Sequence, residues 1–399
     1  MSSATRTVSA PDPLVSSVSA SKRYLAVDLL RGLTIAFMIL VNDNGDEHVA
    51  FWPLKHAAWN GFTPTDLVFP TFLFLVGASI VFSTESRLSR GVTKAALFAH
   101  TVRRAIILFL LGLVVNSAPF FRLSTMRYYG VLPRIALCYF IVATLYIFIR
   151  RPEGSAAGQP TVGDKIGLLV VCLAGYYILM RFVPVPGFGM PGRDIPLLHP
   201  DANIVAWLDR HIFSAPHLYE RTRDPEGLLS TIPALGTTLL GVLTGLFLRS
   251  QRSDSRKALM LTIAGIVCVV LGALWNPWFP INKKLWTSSF VLFAGGWSLL
   301  ILACFWFLVQ VRNYKRGTWP LLVFGMNAIT AYVISEVMAD CLSNVHAGQH
   351  SNVLRWTYQH IAAVISPASV ASLAYSLLYV LVCWLIVLPL YRKKIFIKI

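Results

Sequence analysis

The chain has 399 residues, 56% of them hydrophobic and only 13% charged, with a formal net charge of +17. Soluble domains carry about 25% charged residues, so this chain has too little charge to cover a soluble surface. Long apolar runs recur along it, which excludes a soluble globular enzyme and makes it an all-α, polytopic membrane protein in a lipid bilayer.

Residues 1–21 are rich in Ser, Ala, Thr and Pro and contain no continuous apolar run. They are expected to be a disordered cytoplasmic tail rather than a signal peptide. Residues 22–399 then form one membrane domain. A span needs about 20 mostly apolar residues, and about ten stretches meet that criterion. They are 24–42, 66–83, 104–118, 130–149, 165–182, 228–248, 258–275, 287–309, 319–340 and 367–390. Residues 353–365 read as an interfacial or re-entrant helix before the last span.

Placing both termini in the cytoplasm sorts the basic residues. One side collects Lys22, Arg23, Arg87, Arg90, Lys94, Arg103, Arg104, Arg150, Arg151 and Lys165. It also collects Arg249, Arg252, Arg256, Lys257, Arg312, Lys315, Arg316, Arg392, Lys393, Lys394 and Lys398. The opposite short loops hold only Lys55, Arg122, Arg127, Lys283, Lys284 and Arg355. This is the positive-inside pattern, and it accounts for the basic charge without a nucleic-acid partner. A long outer loop, 183–227, ends in Asp224-Pro225-Glu226-Gly227. Outer loops carry Trp52, Trp59, Trp275, Trp278 and Trp286, which suit interfacial anchoring or stacking on a sugar ring.

Polar groups near the hydrocarbon are costly, so a cluster of them is a functional hypothesis. The segment from Lys55 to Pro70 holds His56, Trp59, Asn60 and Asp66 at the mouth of the second span. A histidine can take a proton at neutral pH or carry an acyl group. Asn60 and Asp66 are candidates to hold it. Asn42, Asp43 and Asn44 end the first span, either as a cap and turn or as an amide aimed at a carbonyl. Asp28 and Arg31 lie three apart on one helix face and read as an ion pair or as a phosphate contact. Arg134 opens a span, and Asn282 and Lys283 sit in the polar loop Pro280–Ser289. Asn116, Asn327, Glu336 and Asp340 are further polar residues in or beside spans, suited to bundle packing or to lining a site. The six cysteines (Cys138, Cys172, Cys268, Cys304, Cys341 and Cys383) have no metal-ligand spacing and read as small apolar residues, so no metal is expected. Walker, dinucleotide, zinc and Gly-x-Ser-x-Gly motifs do not occur.

Several of these segments, in order, resemble the heparan-α-glucosaminide N-acetyltransferase family. They are Val27–Gly32, Lys55–Pro70, Gly130–Ala136, Asp224–Leu229, Pro280–Ser289 and Gly325–Ile329. The resemblance implies an enzyme that passes an acetyl group from cytoplasmic acetyl-CoA to an amino sugar or related glycan across the membrane. It implies His56 as the catalytic residue, acting as general base or acyl carrier, with Asn42 beside it. On the reading of the residues themselves, Asp66 and Asn60 are expected to support His56, Trp59, Asn60, Arg134, Asn282 and Lys283 to line the acceptor pocket, and Asp28 and Arg31 to face CoA. The family's eukaryotic members carry an extra lumenal N-terminal region and an added first span without counterparts here. The loop between Asn42 and His56 is longer by a few residues, including Asp43, Asn44, Asp46 and Glu47. Short loops suit a bacterial inner membrane and an acceptor other than heparan sulfate. A transporter using the same polar site, a non-catalytic scaffold, transfer of a longer acyl group and transfer to a hydroxyl all stay open. So does a homodimer.

Overall fold

The computed structural model describes residues 24–149, 162–347 and 351–397. The expected tail 1–21, together with Lys22, Arg23, Arg150, Arg151 and Lys398, lies outside the described residues. Apolar run length sets helix length. Among the described residues, nine helical segments are long and apolar enough to cross a membrane. They are α1 (Leu25–Asn42), α2 (Val68–Leu88, entered through a 3-10 turn at Pro64–Leu67), α3 (Lys94–Ser117), α4 (Val131–Ile149) and α5 (Val162–Phe182). Short α6 (Ile204–Ile212) lies in the long loop, which is followed by α7 (Thr231–Arg249), α8 (Asp254–Trp275) and α9 (Ser288–Trp306). Then come α10 (Trp319–Met326), α11 (Ala328–Asn344), α12 (Val353–Val364) and α13 (Ala368–Arg392). Two-residue strands β1 (His346–Ala347) and β2 (Ser351–Asn352) pair antiparallel between α11 and α12.

The third span begins ten residues before the expected 104, at Lys94. Its first turns carry Lys94, Arg103 and Arg104, which a hydropathy window discounts. The expected span 319–340 is a bent pair, α10 and α11, meeting at 80°. Asn327 leaves helical geometry at the joint (φ −126°, ψ 42°). Its Oδ1 accepts from the Ile397 backbone N–H at 3.2 Å. Hydropathy counts apolar residues and is blind to one residue leaving the helix. The helix expected at 353–365 is α12, and none of its residues is fully buried.

Helices α1, α2, α4 and α7 form the interior, and α3, α5 and α8 the periphery: 72% of the apolar stretch of α7 is buried, against 22% in each of those three. Small residues let the inner pairs close. A Cβ on Gly77 of α2 would stand 1.9 Å from the Thr238 carbonyl oxygen, and one on Gly241 of α7 the same distance from that of Phe74. With no hydrophobic drive between helices in lipid, such contact supplies the packing. Trp286 is fully buried, with Nε1 donating to Thr237 Oγ1 at 3.1 Å, so it is a core residue rather than an interfacial anchor. The described cysteines are free; Cys138, Cys172 and Cys383 are buried, Cys268 is half-buried, while Cys304 and Cys341 face outward.

Up-and-down connectivity gathers the end of α1 and the starts of α2, α4, α7, α9 and α13 on one face. The long loop and the Pro280–Ser289 loop lie on the same face, which carries the site.

Candidate active site

The site is built on the turn that opens α2. Thr63 caps it: the Asp66 backbone N–H reaches back to Thr63, and the Asp66 carboxylate accepts from the Thr63 backbone N–H, a reciprocal capping box with Pro64 at the first helical position. Asp66 Oδ2 is filled by the Thr63 N–H (3.0 Å), the Thr63 hydroxyl (3.1 Å) and the Ala57 N–H (3.2 Å). Its other oxygen, Oδ1, is left for His56, whose Nδ1 lies 2.7 Å away. Asp66 is fully buried, whereas the His56 side chain is 40% exposed. A buried carboxylate thus grips the inner edge of an imidazole whose outer edge faces open space. The carboxylate is an acceptor, which assigns the proton to Nδ1 and leaves Nε2 its lone pair.

The Pro280–Ser289 loop meets this turn from across the bundle. Asn282, fully buried, donates to Asn60 Oδ1 at 3.1 Å, and the Gly61 N–H donates to the Ile281 carbonyl at 2.8 Å. Lys283 Nζ lies 3.1 Å from His56 Nδ1 and 3.2 Å from Nε2, and 3.9 Å from Asp66 Oδ1. Burial pushes the Lys283 ammonium below the usual lysine range, though Asp66 and Glu226 pull it back up. Trp59 stands beside them. Its Nε1 donates to the Leu198 carbonyl at 2.8 Å, and Arg223 and Lys284 lie 5.0 and 5.9 Å from the centre of its ring. Glu220 binds both cations, so a salt-bridge clasp covers this indole.

His56, Asp66 and Lys283, with the adjoining Asn60–Asn282 pair, are therefore one cluster, and Trp59 is tied instead to Leu198, Arg223 and Lys284. Arg134 lies deeper. It is fully buried, and its Nη2 donates to the Gly227 carbonyl (2.8 Å) and to Ser230, which fastens the start of α7. Its guanidinium lies 5.3 Å from the centre of the Trp286 ring. Asn42 ends α1 with its amide donating to Glu336 Oε1 at 3.0 Å; among the described residues it makes no hydrogen bond to His56. Next to it, burial pushes the Asp43 carboxyl up to about 8, with Glu336 and Asp340 adding to the rise. Asp28 and Arg31 form an ion pair (2.9 Å) braced by Ser79. They sit near the opposite end of α1, about 20 Å along its axis from Asn42, and do not join the cluster.

Residue-by-residue reading missed a second network. Arg127 donates to both oxygens of Asp224 (2.8 and 2.5 Å) and to Glu226. Burial disfavours the Glu226 carboxylate, but Arg127 overrides this and holds it below the usual range. Asp209, fully buried nearby, is pushed up to about 7 by burial and then by Asp224. The acidic pair in Asp224-Pro225-Glu226-Gly227 was the available signal. Among the described residues, no group of three or more His, Cys, Asp or Glu is placed to hold a metal ion.

The sequence pattern described as "Heparan-alpha-glucosaminide N-acetyltransferase, catalytic" matches residues 23–274. The chain belongs to this family. The matched segment contains His56, Asp66, Arg134 and the Asp224–Gly227 motif, and it ends before Lys283. The mouse heparan-alpha-glucosaminide N-acetyltransferase (Mus musculus) is 31% identical over 362 residues, covering 81% of this chain and 54% of that protein. The human protein (Homo sapiens) is 30% identical over 357 residues, covering 80% and 53%. The chain thus spans about half the length of the curated relatives it matches.

Proposed function

We propose that this membrane protein transfers an acetyl group from acetyl-CoA to the amine of an amino sugar or related glycan, with His56 at the reacting centre. The observation that carries the reading is the His56–Asp66 pair, 2.7 Å apart, inside the segment matched to the acetyltransferase family. An amine attacking a thioester must lose a proton, and an imidazole with a free Nε2 takes it. The same lone pair can instead attack the thioester and carry the acetyl group to the amine. In both routes Asp66 holds the ring in one tautomer and one orientation, the role of the third group in any such arrangement. Asn42 and the polar residues beside it would contact the acyl carbonyl or the sugar.

The basic loops at the far ends of the helices support a cytoplasmic position for that face. The acetyl donor would then be taken from the cytoplasm and the acceptor from the opposite side, in a bacterial cytoplasmic membrane. The bend at Asn327 favours a second reading, transport, because broken helices line the sites of many carriers.

Proteoliposomes separate the two. Acetyl-CoA is supplied on one side and glucosamine on the other. Acetylated glucosamine with an equal amount of free CoA is the expected result. Movement of unmodified glucosamine with no CoA release would contradict it and favour transport.

A further inference from the structure

Lys283 is the one cation in contact with the His56 ring among the described residues. The nearly equal distances from Nζ to the two ring nitrogens place it over the ring face, since an in-plane approach would collide with the carbon between them. The in-plane lone pair of Nε2 is thus left clear for a substrate, with an ammonium beside it. The lysine is held there by its loop. Asn282 is buried and accepts from the Leu285 N–H at 2.9 Å, and the Trp286 N–H closes on the Lys283 carbonyl at 3.0 Å. The charged and titratable groups facing it are His56, Asp66, Glu226 and Lys284.

We propose that Lys283 is a second catalytic group, which carries the proton between His56 and the departing thiolate of the acyl donor. This rests on the acetyltransferase reading above. In the reaction the acceptor amine enters neutral and its nitrogen bonds to the thioester carbonyl carbon. His56 Nε2 takes one proton from that nitrogen. The carbon–sulfur bond breaks, its electron pair leaves on sulfur, and the Lys283 ammonium gives that sulfur a proton. The imidazolium proton lies in the ring plane and points away from Nζ, so it returns to the neutral Lys283 amine through a water molecule at the 40% exposed edge of the ring, and the site is reset. One amine proton is lost and one thiol proton is gained, so no other acid or base is consumed. An ordinary lysine, at about 10.4, is a weak donor to a thiolate near 8.5. Burial moves Lys283 toward the thiol, which brings the two closer to balance.

The test varies the leaving group. Wild type, Lys283→Met and Lys283→Arg, each purified as a monodisperse protein, are assayed with acetyl-CoA and with the acetyl thioester of a nitrothiophenol. The nitrothiolate leaves without needing a proton. We expect Lys283→Met to slow turnover of acetyl-CoA by about 100-fold or more, the lower range for a general acid, and to leave the activated thioester close to the wild-type rate. Lys283→Arg keeps the charge but does not release a proton, so it is expected to stay slow with acetyl-CoA. Equal losses with both donors in Lys283→Met, or full recovery in Lys283→Arg, would overturn the proposal and leave Lys283 a structural or electrostatic role. Wild type that releases no CoA with any amine would overturn the acetyltransferase reading itself, and the proposal with it, before any variant is compared.

Discussion

Two polar clusters share one face of this bundle, and they differ in what is left open. Around Asp224 every acceptor is filled: Oδ1 takes Arg127 and the Glu226 N–H, and Oδ2 takes Arg127 and the Tyr219 N–H. Around Asp66 the filling stops one step short. Oδ2 is saturated by the capping turn and Oδ1 holds His56, but the imidazole stays 40% exposed, with Lys283 as the cation over it. A satisfied ionic network specifies structure, and a network that ends in an unfilled valence at the surface can do chemistry. The first cluster ties the long loop to the start of α4. The second presents the imidazole that we propose as the base.

Breaking the second cluster should cost activity and spare the fold. His56→Ala is expected to bring amine acetylation down about 10⁴-fold, the upper range for a general base, in a protein that still folds and stays monodisperse in detergent. Asp66→Asn keeps the shape but loses the carboxylate that holds the imidazole. A drop of about 100-fold in kcat follows, as for a misplaced catalytic group. An unaltered kcat in Asp66→Asn would remove the carboxylate from the account.

Breaking the first cluster should do the reverse. Arg127→Met leaves Asp224 and Glu226 without their cation in a buried setting. Losing one partner of a buried pair costs about 3–5 kcal/mol, read as a lower midpoint in chemical denaturation. Turnover per folded molecule should hold, and a variant that stays fully stable but inactive would merge the two clusters. Thr63→Ala removes the cap hydroxyl and should cost about 1 kcal/mol with a loss of activity smaller than that of Asp66→Asn.

The smallest expected effect is a pH slope. Asp209 sits at about 7 in the folded protein against an ordinary 3.8. The folded state therefore binds the extra proton between those values, so this residue's contribution is full below about 4 and is lost as pH rises through 7. Asp209→Asn should flatten the unfolding midpoint against pH over that window. An unchanged slope would show that Asp209 titrates normally.

Much of the fold was legible, because about 20 apolar residues in a row have one stable outcome in lipid. The bend at Asn327 was not, since it depends on one residue's backbone and on a contact with Ile397 seventy residues away. In the site, the hold on His56 was half-written in Thr63-Pro64-Thr65-Asp66, where a capping threonine announces a turn that aims the carboxylate. Lys283 could be placed on the right face from its loop. Its seat over the imidazole belongs to a contact spanning 227 residues, which no local pattern encodes. Arg134 was legible as a charge at the mouth of a span, but its bond from Nη2 to the Gly227 carbonyl at the start of α7 spans 93 residues and has no local signal.

The central claim is that the open edge of His56 does the chemistry. The most direct test is release of free CoA from acetyl-CoA by the purified protein across a set of amino sugars, with His56→Ala alongside. Release that requires both an amine and His56 is the predicted result. Release that persists in His56→Ala, or that proceeds at the same rate without any amine, would contradict it.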